Sequence, residues 1–124
     1  MLTTMIGALR DDDLAHHVTA VNEETRGVQN LKELADGRRI KDIGLTTQGT
    51  RYSASLEIKK PGSNLAILIP EGDDMTFAMA RAYQMFSMDF RASVKIFHDL
   101  EEAMIWLVDD EVERKTLTSL INSL

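Results

Sequence analysis

The sequence contains no cysteine, which removes disulfides, thiolate metal sites and cysteine nucleophiles together. Proline is scarce, with two residues in the chain, and no stretch rich in proline, glycine or serine divides it. No flexible linker or solenoid repeat is expected. Basic charge is also short: 14 Lys and Arg stand against 20 Asp and Glu, a formal charge of −6. That balance argues against nucleic acid as a partner, since non-specific affinity for phosphate comes from clustered basic residues. The longest purely aliphatic run is Leu65-Ala66-Ile67-Leu68-Ile69, far below the roughly 20 residues that span a bilayer, so membrane insertion is not expected. Residues Met1 to Leu9 carry no basic charge and lead into Arg10-Asp11-Asp12-Asp13, the reverse of a signal-peptide layout. A cytoplasmic protein is the expectation.

What remains suffices for one folded domain: 124 residues, 44% of them hydrophobic, can bury a substantial core. Short apolar runs alternate with amphipathic segments. Thr4 to Leu9 reads as a strand. Asp11-Asp12-Asp13 supplies capping and negative charge at a helix start, and Leu14, Val18 and Val21 give that helix one apolar face to about Thr25. Leu31 to Ala35 reads as a short strand followed by an Asp36-Gly37 turn, and 38–45 as a polar connection with buried pegs at Ile40, Ile43 and Leu45. Thr46 and Thr47 are candidate caps of a helix through Lys60, with Tyr52, Leu56 and the stem of Lys59 inward, which Pro61-Gly62 would stop.

Asn64 to Ile69 is continuously apolar, as a strand buried on both faces must be, and is expected at the centre of the sheet. Asp73-Asp74 then caps a helix whose Met75, Met79, Ala82, Tyr83 and Phe86 share a face. Ser93 to Phe97 alternates like an edge strand, and Asp99 with Glu102 has capping-box spacing ahead of a helix over 100–107. The order β-α-β-α-β-α-β-α predicts a mostly parallel α/β sheet of four to five strands with helices packed on it. Beyond it, Val112, Leu117, Leu120, Ile121 and Leu124 recur at near-helical spacing. The expected organisation is a domain over 1–108 extended by an amphipathic helix over 109–124. That helix either packs on its own sheet or supplies an oligomer contact.

Three segments resemble the bacterial SpoIIAA-like proteins: Leu65-Ala66-Ile67-Leu68-Ile69-Pro70, Met79-Ala80-Arg81-Ala82-Tyr83-Gln84-Met85-Phe86, and Val94 through His98-Asp99-Leu100-Glu101-Glu102-Ala103 to Trp106-Leu107. The similarity covers about residues 5 to 107 and is weak in the middle third. It implies membership of the STAS group, with a βα superhelix shared with CRAL/TRIO lipid carriers. Two features depart from the pattern. The family's additional N-terminal strand is lacking here or compressed into the first residues. In the phosphorylated anti-sigma antagonists Asp is followed at once by the Ser/Thr pair and Gly, whereas here residues 37–45 separate Asp36 from Thr46-Thr47-Gln48-Gly49. Thr46 and Thr47 are the candidate regulatory phosphosite that the resemblance implies.

Catalytic signals are poor. His16 and His17 are adjacent and point about 100° apart on a helix, so they do not form a metal pair. No phosphate loop or nucleophile elbow follows a strand. Acidic clusters at 11–13, 73–74 and 109–111 coincide with helix starts, where capping accounts for them. No cofactor, no metal and no enzymatic activity are expected. Met75, Met79, Met85, Met88 and Met104, with Tyr83, Phe86, Phe90 and Trp106, form a soft apolar group. It reads either as core or as a surface for a partner or an apolar ligand, with Met75, Met79, Tyr83 and Phe86 as its candidate residues. The leading expectation is a non-enzymatic interaction or regulatory module with an unidentified protein partner. The second is a small carrier of an apolar or lipid-like ligand. A homodimer is expected through Val112, Leu117, Leu120, Ile121 and Leu124, because a short terminal helix needs its apolar face covered.

Overall fold

A computed structural model describes residues 1–58, 60–88 and 91–124, the side chains of Arg91 and Ala92 excepted. The elements are β1 (Leu2–Arg10), α1 (Asp11–Glu24), β2 (Lys32–Gly44), α2 (Thr47–Ser55), β3 (Lys60–Leu68), α3 (Asp74–Phe86), β4 (Arg91–Phe97), α4 (Leu100–Leu107) and α5 (Glu111–Asn122). All strand pairs are parallel and the order is β1-β2-β3-β4. The fold is α/β, a βα superhelix carrying an extra C-terminal helix. As the patterns predict, β3 is internal and β4 lies at an edge. Among the described residues no helix is long and apolar enough to cross a membrane.

Local chemistry places the helix starts. Thr46, Asp73, Asp99 and Asp110 each accept a backbone N–H from three residues ahead at 2.9–3.2 Å, satisfying one of the donors every helix start leaves open. At α1 the arrangement differs: Asp13 accepts the Arg10 N–H at 2.8 Å. Gly27, with φ +78°, adopts the left-handed conformation that turns the chain after α1.

Two apolar layers flank the sheet. Leu14 and Val18 of α1, Ala54 of α2 and Tyr83 of α3 cluster on Ala35, Leu65 and Val94. On the opposite face Leu100, Ala103, Met104 and Leu107 of α4 cluster on Leu34, Ala66 and Leu68, with Leu117 and Ile121 of α5 packed behind them. Parallel strands in chain order, joined by crossovers of one hand, put α1 to α3 on a single face. Among the described residues the other face is covered only by α4 and α5.

Two expected segments are corrected. The polar stretch 38–45 is no connection: β2 runs on to Gly44, pairing Ile40, Asp42 and Ile43 with Gly7, Ala8 and Leu9 of β1. β2 pairs with β3 only up to Asp36↔Leu68, so its second half forms a two-stranded ribbon whose Arg38, Arg39, Lys41 and Asp42 remain exposed. Helix α2 stops at Ser55 rather than Lys60, and Pro61-Gly62 lies inside β3, at a register irregularity between Lys60 and Asn64. Proline is tolerated there because a bulge needs no ladder donor. Tyr52, expected inward, is 60% exposed. The buried face of α2 is instead Thr50, Ser53 and Ala54, small residues that bring its backbone close to α1 and α3. Leu56 is half-buried against the core as expected, whereas Lys59 and Phe90 lie outside the described residues.

Leu68, fully buried between β2, β4 and α4, tests the second layer. Leu68→Ala should cost about 2–5 kcal/mol, read as a lower urea midpoint with an unchanged slope.

Candidate functional site

Between the inner face of the sheet and α1 to α3 lies a cavity of about 70 Å³. Leu14 and Val18 of α1, Leu65 and Ile67 of β3, and Met79 of α3 give it an aliphatic and thioether wall. Its volume is about half the ~150 Å³ that admits a benzene ring in a dry apolar site. It holds a group of a few heavy atoms and no acyl chain.

The same cavity is bordered by His17, Glu33, Thr50, Glu57, Thr76 and Tyr83. Glu33 stands at the start of β2 and Glu57 just ahead of β3, so the carboxylates gather at the amino end of the parallel strands. Both are almost completely buried, which would be costly for lone charges, and both have partners. The Tyr83 hydroxyl donates a short hydrogen bond to Glu57. Lys60, itself buried, places Nζ 3.8 Å from the other Glu57 oxygen and donates to Asn22 Oδ1 at 3.0 Å. Asn22 in turn donates to the Leu56 carbonyl at 2.8 Å, tying α1 to the end of α2. His17 Nε2 lies 3.9 Å from Glu33 Oε2.

Sequence reasoning missed this group. Glu33 alternates with Leu34 and reads as the solvent side of a strand. The available signal was that an internal strand of a helix-covered parallel sheet has no solvent side. Glu57 and Lys60 sit in a stretch read as the end of a helix.

The residues singled out by sequence do not form one site. Met79 and Tyr83 line the cavity, Met75 is exposed, and Phe86 is half-buried with the Arg51 guanidinium 5.7 Å above its ring. Met85 and Met88 are exposed, while Met104 belongs to the opposite layer. In α5, Leu117 and Ile121 pack inward on α4, whereas Val112 and Leu120, and Leu124 just beyond the helix, are exposed. Thr46 and Thr47 are both exposed, and the side chain of Thr46 is engaged. The Thr46 hydroxyl donates to Asp11 at 2.7 Å while accepting the Gly49 N–H, and its own N–H also donates to Asp11. A phosphate on Thr46 would meet that carboxylate and break the junction of α1 with α2. Among the described residues no three His, Asp or Glu side chains gather as a metal-ligand set.

A second polar cluster lies on the α4 side. Asp36, 5% exposed, accepts the Arg38 guanidinium through both oxygens at 3.0 and 2.8 Å, and the Arg38 backbone N–H at 3.1 Å. Burial alone would raise the Asp36 pKa; the Arg38 hydrogen bonds and charge, helped by Arg39, outweigh it and hold the carboxyl below its ordinary range. Because the folded pKa is depressed, this pair stabilises the fold above the unfolded carboxylate pKa and loses that contribution as pH falls through the folded value. Arg38→Ala should therefore cost about 1–3 kcal/mol near neutral pH. The cost should shrink as the medium is acidified below about pH 4, in urea titrations of both proteins across that range.

No family model, curated protein or solved structure matches the chain.

Proposed function

We propose that this chain is a non-catalytic binding domain whose cavity takes a small, mainly apolar ligand. The carrying observation is the cavity itself, walled by Leu14, Val18, Leu65, Ile67 and Met79 and bordered by a few buried polar groups, the composition of a small-molecule site. Of the two sequence-level expectations this favours the carrier, with one change: the volume fits a short ligand rather than a lipid-like one. The Thr50 hydroxyl, the most buried alcohol on the wall, donates to Met79 Sδ at 3.8 Å, which supports binding rather than nucleophilic chemistry. A SpoIIAA-like regulatory role is compatible with such a pocket if occupancy alters contacts with a protein partner.

Xenon under pressure tests the cavity directly, since dry apolar cavities bind it. Methyl resonances of Leu14, Val18, Leu65 and Ile67 should shift with saturation while surface methyls stay still. In Ala80→Leu, where the new side chain fills the space at a cost of about 1–3 kcal/mol, the shifts should vanish. Equal shifts over core and surface methyls would overturn the reading.

A second reading, self-association, is favoured by a separate observation. The outer face of β1 is not covered by α4: Ile6 is 65% exposed and Leu2 is exposed beside it, and Leu120 of α5 is 58% exposed. Arg39, the register partner of Ile6, donates to the Leu124 carbonyl at 2.9 Å, which brings the end of α5 to the same flank. The free edge of β1 is less suited to pairing, being broken by register shifts and by Gly7 at φ +79°, devices that discourage edge-to-edge addition. A two-fold dimer would therefore use this face. Light scattering at tens of micromolar should give twice the chain mass, falling to one chain in Ile6→Glu/Leu120→Glu. A single-chain mass for the unmodified protein would defeat the dimer.

A further inference from the structure

Resting on the cavity reading, we propose that Met79 is the gate of the cavity and the residue that limits its ligand to narrow, unbranched apolar molecules. The wall is not equally deep. Leu14, Val18 and Leu65 are almost wholly buried, whereas Ile43, Leu45 and Met79 line the same cavity half-buried. Ile43 and Leu45 lead the chain into α2. Met79 faces α2 from α3, with its Sδ 3.8 Å from the Thr50 hydroxyl. The wall is therefore thinnest along the seam between α2 and α3.

The residue types on that seam decide which of them moves. From α2 come Thr50, Ser53 and Ala54, all fully buried, and too short to span a gap. Met79 has the length: its thioether arm is unbranched, flexible and packs adaptably. The sulfur accepts the Thr50 hydroxyl, and among the described residues that hydroxyl has no other acceptor. This contact latches the arm shut, because swinging it out orphans a fully buried hydroxyl. Free side chains change rotamer in picoseconds to nanoseconds; a latched one is slower, so the latch sets the rate of passage. The opening is no wider than the arm that vacates it, which passes a straight chain or a single atom and stops a ring.

The amino end offers a poorer route. His17 is half-buried there as well, but beyond it stand Glu33 and Glu57, almost wholly buried and bound into local pairs. An apolar guest entering that way would have to disturb them. One passing Met79 and Leu45 meets only apolar groups and the Thr50 contact.

The test is xenon exchange in the intact chain, with affinity read from the Leu14, Val18, Leu65 and Ile67 methyl shifts and rate from saturation transfer to dissolved xenon. Thr50→Val keeps the shape of the side chain and removes the latch. Entry and exit should both quicken by about two- to ten-fold with Kd unchanged, the mark of a gate rather than a wall. Met79→Ala should accept benzene and the unmodified chain should refuse it, since a ring needs a cavity of roughly 150 Å³. Should Thr50→Val fail to fold, the benzene comparison decides: binding by Met79→Ala alone upholds the proposal, and binding by both or by neither overturns it. A rate unchanged in Thr50→Val, a Kd that moves in its place, or a rate that responds to His17→Ala instead overturns the gate and leaves the cavity reading standing. Silence from xenon in the unmodified chain removes both.

Discussion

Four parallel strands in chain order cannot share their crossover helices between the two faces of a sheet. Each right-handed connection moves one strand along in the same direction, and so each helix lands on the same side. Here α1, α2 and α3 do so, clustering on Ala35, Leu65 and Val94. The opposite face is left to the chain that follows β4. Helix α4 spans Leu100–Leu107, about 12 Å at 1.5 Å per residue, against four strands spaced nearly 5 Å apart. It covers β2 and β3 through Leu34, Ala66 and Leu68 and reaches β4 at Phe97, and α5 adds Leu117 and Ile121 behind it. Neither covers the outer face of β1. The exposure of Leu2 and Ile6 thus follows from the strand order.

The same geometry shapes the crowded face. Three helices lie over the inner side of the sheet, and α2 is held near its neighbours by Thr50, Ser53 and Ala54. Those side chains are too small to fill the space over β2 and β3, and Tyr52, which could, points outward. The cavity is what remains. At the amino ends of the strands, where the helices close over the sheet, Glu33, Glu57 and Lys60 are almost wholly buried and are bound into local pairs. Burying such pairs brings little net stability. Removing one member would strand its partner, so the group fixes how α1, α2 and α3 meet the sheet more than it strengthens the fold.

Much of this was legible in the residues. The aliphatic run Leu65 to Ile69 identified an internal strand, and Asp73, Asp99 and Thr46 marked helix starts by the capping they perform. Leu14, Val18 and Val21 gave the buried face of α1. Three of the failures share one cause: polarity was taken for exposure or for a break. Arg38, Arg39, Lys41 and Asp42 looked like a connection because a two-stranded ribbon beyond the sheet tolerates charge. Pro61-Gly62 looked like a stop because a bulged strand start uses the same residues as a turn. Glu33 and Glu57 went unnoticed because a buried carboxylate declares itself through partners distant in sequence, His17 for one and Tyr83 for the other. The split of α5 into an inward pair and an outward set could not be seen either, since both lie on one broad apolar stripe.

The point where β2 leaves β3 shows how the two faces are joined. Pairing with β3 ends at Asp36↔Leu68 while pairing with β1 continues, across a register shift, to Gly44. At that departure Asp36 accepts the Arg38 N–H as well as its guanidinium, satisfying backbone that the ladder no longer reaches. Gly37 lets the strand pass close to its neighbours: a Cβ there would stand 3.1 Å from Ile40 Cδ1 and 3.4 Å from the Leu68 carbonyl. The rerouted strand then carries Ile40 and Ile43 over the carboxyl end of the cavity, where both line it. A turn at Asp36-Gly37 would have left that end open to water. The Asp36–Arg38 pair on the α4 side therefore supports the wall of the site on the other.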